Sequence, residues 1–184
     1  MNDSMTNKIL DKWESNRMWI RDVTLDEADV LQELCEKSDY LRKWEGNEEI
    51  DPEHIKKTIL EGDLPPNGVR GNFKIQSFHL KSTNELVGYI TYYFGYPTEE
   101  IVWINFLFID PIYQGKGYSK EIINRLEELL RETTFSKIRL LVKLKNWPAI
   151  RFWTSLQFTK IIGYYGDKIL SDETFAGLVI EKEL

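Results

Sequence analysis

Apolar residues along this chain fall into runs whose spacing marks strands and helices in turn. Residues 18–23 read as a first strand. Thr24-Leu25-Asp26-Glu27 follows as a capping box, in which Thr24 caps a helix and Glu27 returns the bond. The helix behind it carries Ala28, Leu31, Leu34 and Cys35 at helical spacing. Asp51-Pro52-Glu53 opens a second helix, with proline in its first turn and acids near its positive end; it is expected to end near Gly62. After a loop at 64–68, residues 73–80 and 86–94 read as the arms of a hairpin. Residues 101–109 are apolar nearly throughout, as suits a central strand covered on both faces.

The clearest helix is predicted over 119–131, where Ile122, Ile123, Leu126, Leu129 and Leu130 form one stripe. Residues 137–144 read as a buried strand. Asn146-Trp147-Pro148 starts a helix that reaches about Leu156. Residues 158–165 and 175–180 read as closing strands. Residues 7–16 read as a short polar helix or an extension before the fold proper. The order β-α-α-β-β-β-α-β-α-β-β predicts the α+β class: a single-domain mixed, mostly antiparallel central sheet flanked by helices. Residues 1–17 are assigned to an N-terminal extension and 18–184 to the domain.

Composition narrows the partners. The 184 residues, 42% hydrophobic and 29% charged, fit one domain that buries a core without disulfides or metal. The formal net charge of -6 argues against nucleic acid, since phosphate binding wants a basic face. It is compatible with a cationic substrate. The single cysteine, Cys35, excludes an internal disulfide and makes the cytoplasm the default location. Its place on a helical apolar stripe marks it as core. The N-terminus lacks a basic-then-apolar leader pattern. The apolar run at 101–109 is too short to span a bilayer and contains Asn105, so no membrane association is expected. Two histidines and one cysteine, far apart, give no metal-ligand spacing.

Candidate chemistry lies between the strand at 101–109 and the helix at 119–131. Gly115 and Gly117 let the backbone approach a ligand closely. The helix points its free N–H groups and positive end into the same turn, which suits a phosphate or pyrophosphate. Lys116 and Lys120 add positive charge, and Ser119 offers a hydroxyl donor. Two readings of the turn stand side by side: an anion site, or a plain strand-to-helix connector. It is neither a Walker loop nor a dinucleotide fingerprint.

With its sequence context, Gln114-Gly115-Lys116-Gly117-Tyr118-Ser119 resembles the pyrophosphate motif of the Gcn5-related N-acetyltransferase (GNAT) family. That family's next block, Asn, Ala, an aromatic pair and a Gly-Phe ending, is similar to Asn146, Ala149, Phe152-Trp153 and Gln157-Phe158. The resemblance implies acetyl-CoA as co-substrate, an amine as acceptor, and direct transfer without a covalent enzyme intermediate. By the same resemblance, the backbone at Phe108 and Ile109 holds the pantetheine arm. Gln114, Gly115, Lys116, Gly117, Tyr118 and Ser119 hold the pyrophosphate. Asn146 sits near the arm, and N–H groups between Leu107 and Ile109 stabilise the developing oxyanion.

Three departures stand out: Ser119 replaces the last small residue, Gln157 a glycine, and Trp153 a tyrosine that protonates the leaving thiolate in many members. The family's strand carboxylate is also missing. Glu100, acting through water, is the candidate base and Tyr164, or Tyr165, the candidate acid. Against these stand a solvated strand end and ordinary strand packing. Residues 39–44 fall where the family shapes its acceptor site, or form a loop without that role. The leading function is acetyl transfer to a primary amine of a small molecule or peptide. The alternatives are an acyl-CoA-binding sensor with little turnover, and a nucleotide-binding domain that uses the same turn. A homodimer is compatible with each.

Overall fold

A computed structural model of the chain describes residues 11–46 and 49–184. One eight-stranded sheet organises them, in the spatial order β1-β2-β3-β4-β5-β6-β8-β7. The strands are β1 (Lys12–Glu14), β2 (Met18–Asp22), β3 (Phe73–Leu80), β4 (Leu86–Phe94), β5 (Ile101–Ile109), β6 (Lys137–Lys143), β7 (Lys160–Gly166) and β8 (Ala176–Glu183). Only β5 and β6 pair in parallel; every other neighbouring pair is antiparallel. The strand-helix-strand unit between β5 and β6 is the reason, because its helix carries the chain back to the starting end. The sheet is therefore mixed and mostly antiparallel.

The helices are α1 (Ala28–Glu36), α2 (Arg42–Glu45), α3 (His54–Leu60), α4 (Tyr118–Arg131) and α5 (Trp147–Ser155). They cover the two faces of the sheet in separate groups. Ile122, Ile123, Leu126 and Leu130 of α4 and Trp153 of α5 pack with Ile90, Val102, Ile104 and Ile138 on one face. Leu31, Leu34 and Cys35 of α1 and Ile55 of α3 pack with Ile75, Tyr89, Tyr93 and Phe108 on the other. The capping box is present at 24–27, where the Thr24 N–H donates to Glu27 Oε2 at 3.0 Å. No described helix is long and apolar enough to cross a membrane.

The N-terminal segment needs revision. Residues 7–10 lie outside the described residues, but Lys12–Glu14 is a strand paired with β2. Three residues with one buried side chain, Trp13, give no readable period. The indole N–H of Trp13 donates to Gln76 Oε1 at 2.7 Å and ties this strand to the core.

Two irregularities in β5 shape the cavities on either side of it. Opposite β4, Phe106 pairs with Thr91 and Ile104 with Tyr92, so Asn105 is an extra residue and forms a β-bulge. Before it, Val102 and Ile104 face α4; after it, Leu107 and Ile109 do, while Phe106 and Phe108 turn to α1 and α3. Without the bulge, strict alternation would send each of these side chains to the opposite face. Opposite β6, pairing runs only from Ile101 to Ile104. The strands then part, and β5 from Asn105 to Ile109 has no strand partner on that side.

Candidate active site

The turn after β5 is made by backbone conformation. Asp110 accepts the Ile112 N–H at 3.1 Å and is itself held by Lys37 Nζ at 2.6 Å. Gly115 and Gly117 have φ of 74° and 79°. This is the left-handed region, which costs about 1–2 kcal/mol for residues with a Cβ. Crowding is not the reason for glycine here. A Cβ at Gly115 would meet nothing within 4 Å, and one at Gly117 would meet only an Arg17 nitrogen at 3.8 Å. The space above both glycines is open, and the first-turn N–H groups of α4 have no acceptor within the helix. Such a shelf can take a phosphate group.

A hairpin from the other end of the sheet clasps this shelf. Arg17, between β1 and β2, donates from its backbone N–H to Glu121 Oε1 at 2.7 Å and from Nε to Oε2 at 2.6 Å. Its Nη1 reaches the Lys116 carbonyl at 3.2 Å, and its guanidinium lies 4.3 Å from the Tyr118 ring centre. The Ser15 hydroxyl donates to Glu121 Oε1 at 2.7 Å. Burial works to raise the Glu121 pKa, but the Ser15 and Arg17 hydrogen bonds outweigh it and hold the carboxyl below its ordinary value. A carboxylate in the first turn of α4 is thereby prevented from repelling an anion. No local pattern links residues this far apart in sequence, and reading the chain alone missed Arg17 and Glu121.

From the shelf a cleft of about 260 Å³ runs along the parted end of β5. Leu107, Phe108 and Ile109 form one wall, with Asn146, Phe152 and Trp153 opposite. The segment at 39–45 roofs it through Tyr40 and Trp44. The roof is tied on both sides: Gln114 Nε2 donates to Tyr40 Oη at 3.0 Å and Asn146 Nδ2 to Glu45 Oε1 at 2.5 Å. Gln114 Nε2 also donates to the Ile109 carbonyl at 2.9 Å, and Asn146 Oδ1 accepts the Ala149 N–H at 3.1 Å as the α5 cap. Phe108, Ile109, Gln114, Ser119 and Asn146 therefore meet around one cleft. Phe108 and Ile109 bury their side chains, so only their backbone is available to a ligand. Gly115, Lys116, Gly117 and Tyr118 form the shelf at its mouth, with Lys116 Nζ 5.0 Å from the Tyr113 ring centre.

Two expected residues lie elsewhere. Glu100 precedes β5, about 20 Å of extended strand from Leu107. Its side chain is 43% exposed, and Lys137 lies 3.8 Å away. Its own backbone N–H and the Thr98 hydroxyl hold its carboxyl below the ordinary range, which weakens it as a base. Tyr164 is on β7, the outermost strand, and is 68% exposed. Neither residue lines the cleft. Trp153 does line it, and its indole N–H can donate a hydrogen bond but cannot release a proton as a phenol does.

Comparison with known proteins agrees with this geometry. The profile of the Acetyltransferase (GNAT) family matches residues 38–158, well over half of the chain. The chain belongs to this family. Acetyl-CoA is accordingly its co-substrate, and the open glycine shelf leading into a narrow cleft fits that molecule. No curated protein sequence matches the chain. Among solved structures, an acetyltransferase from Thermus thermophilus is 20% identical, with 94% of this chain and 100% of that one covered and a TM-score of 0.67. A Salmonella typhimurium acetyl transferase that modifies the N-terminal serine of a ribosomal protein is 15% identical, with 92% and 96% covered and a TM-score of 0.72. A ribosomal alpha-N-protein acetyltransferase in complex with coenzyme A is 14% identical, with 92% and 96% covered and a TM-score of 0.69. At these identities the structures establish a shared fold.

Proposed function

We propose that this GNAT protein moves the acetyl group of acetyl-CoA directly to a primary amine of a small molecule or peptide. The observation that carries the proposal is the parted end of β5. Its unpaired backbone lies between the open glycine shelf and the Asn146–Trp153 wall. The turn from Gln114 to Ser119 takes the pyrophosphate on its N–H groups, with Lys116 and Lys120 adding charge. The backbone at Phe108 and Ile109 holds the pantetheine arm. An N–H between Leu107 and Ile109 faces the thioester oxygen and stabilises the charge that develops there. Asn146 fixes the start of α5 against the cleft. The amine attacks in its neutral form, so its proton must find an acceptor.

The test is release of free CoA from acetyl-CoA by the purified protein, with a panel of primary amines and peptide N-termini. Release well above the amine-free rate with at least one acceptor is the expected result. Trp153, in place of a phenol, favours a second reading: a binding protein with little turnover. Tight acetyl-CoA binding without transfer to any acceptor would replace the enzyme with that sensor.

A further inference from the structure

The cleft between β5 and α5 accounts for acetyl-CoA, and the carboxylate at its edge, Glu45, is held by Asn146 Nδ2. The other face of β5 offers a second carboxylate. Under α1 and α3 lies a second cavity of about 440 Å³. Asn105 and Phe106 line both this cavity and the narrow gap between β5 and β6. The bulge is thus the partition between the acyl side and the new cavity.

Asp63 reaches this partition from the loop after α3. Gly62, with φ of 79°, ends the helix and reverses the chain. The next residue then meets the bulge: Asn105 Nδ2 donates to Asp63 Oδ2 at 2.8 Å and to the Asp63 carbonyl at 3.2 Å. The cavity wall also carries Glu49, Asp51 and one basic-capable side chain, His54. Lys57 neutralises Asp51, whereas Glu49 and Asp63 have no ion pair among the described residues. The cavity is therefore anionic.

A second observation points to a ligand. Asn105 Oδ1 and the Tyr89 hydroxyl are buried, and among the described residues the first has no hydrogen-bond partner and the second only the weakly bonding Cys35 thiol. Tyr89 is 1% exposed and lines the cavity. Burial pushes its phenol well above the ordinary value, so it stays a neutral hydroxyl. Unpaired buried polar groups are rare and costly, and a bound donor relieves them. Asp63, Asn105 and Tyr89 all line the cavity and together carry three acceptor oxygens, the number that an ammonium group can use. Ser38 and Phe106 also line a wider groove of about 760 Å³, which leaves room for a tail.

We propose that Asp63 binds the acceptor amine and takes its proton, that Asn105 is the positioning residue holding Asp63 at the bulge, and that the acceptor is a small cationic amine. This rests on the acetyltransferase reading. In the step, the bound ammonium first gives one proton to Asp63, and the freed nitrogen lone pair forms the C–N bond to the acetyl carbon. The C–S bond breaks with its electron pair on sulfur, and the second proton leaving nitrogen passes through solvent to the thiolate. Asp63 then returns its proton to solvent.

The experiment uses the full chain with saturating CoA and three amine probes, cadaverine, spermidine and lysine amide, with pentanediol as the uncharged control. Binding is read by calorimetry, and transfer by CoA release. At least one amine should bind, and pentanediol should not. Asp63→Asn should weaken that amine about tenfold to a hundredfold, with CoA affinity and thermal midpoint unchanged, and should flatten the acidic limb of kcat/KM against pH. Asn105→Ala should lower kcat more than it raises either KM, and Asn105→Gln should recover part of the loss. Wild-type amine affinity and rate in Asp63→Asn would overturn the proposal, as would failure of every amine to bind the wild type. Failure of the acetyltransferase reading looks different: amines bind, Asp63 governs the binding, and no CoA is released.

Discussion

The two sides of β5 are built on opposite principles. On the proposed cofactor side, the parted strand, the glycine turn and the start of α4 form one continuous stretch, and the groups proposed to hold the ligand are backbone N–H donors. On the acceptor side, the cavity joins side chains from α1, α3, the loop after α3 and two strands. A backbone-built site tolerates side-chain change but is sensitive to any change in φ. A site built of side chains has the reverse sensitivity. One half of the molecule thus serves a large, invariant co-substrate, and the other half can be redesigned one residue at a time.

The largest effect should come from Gly117→Asp. The aspartate would have to adopt a φ of 79° and would set a carboxylate on the shelf. Strain of about 1–2 kcal/mol, with like-charge repulsion added, predicts at least about a hundredfold loss of CoA affinity by calorimetry. Gly117→Ala carries the strain alone and should lose about tenfold. Unchanged affinity in Gly117→Asp would reduce the turn to a connector and remove the contrast between the two sides.

Arg17→Ala should act next. It opens the clasp on Glu121 and Lys116, leaving a carboxylate unpaired beside the phosphate shelf. The KM for acetyl-CoA should rise about tenfold, as for loss of a charged hydrogen bond, with kcat within twofold. A fall in kcat at constant KM would place Arg17 in the chemistry instead of in cofactor binding. The same clasp predicts acid sensitivity. Its hydrogen bonds hold Glu121 below the ordinary value of 4.5. Below that pH the unfolded chain binds more protons, so this stabilisation is present above 4.5 and fades as pH falls through the lowered folded value. Thermal midpoints measured down this range should drop less steeply in Glu121→Gln than in the wild type.

Much of this architecture was legible in the chain. The strands from 73 to 109 and helix α4 carry enough residues for their hydrophobic period to show, and the glycine turn is recognisable because strand, turn and helix are contiguous. Elements of three or four residues, β1 and α2, carry no period, and β1 reads from the sequence as part of a polar helix or an extension. The Asp63–Asn105 and Arg17–Glu121 contacts join residues 42 and 104 apart. Such contacts exist only once the sheet order has formed. The bulge at Asn105 was equally invisible, although it decides which face every later side chain of β5 takes.

The smallest effects should come from the two residues that sequence context nominated for proton transfer. Tyr164 pairs with Leu178 on the outer side of β8, three strand spacings or about 14 Å from β5. Glu100 lies farther still, about 20 Å along β5 from Leu107, and faces Lys137. A general acid or base must reach the reacting atom directly or through one water, and neither distance permits that. Tyr164→Phe and Glu100→Gln should therefore keep kcat/KM within about twofold and leave its pH profile in place, since surface changes away from such features seldom exceed about 0.5 kcal/mol. A tenfold loss of kcat in Tyr164→Phe would mean that the β7 edge moves onto the cleft during turnover. The proton path would then belong to the cofactor side, and Asp63 would be left with recognition of the amine alone.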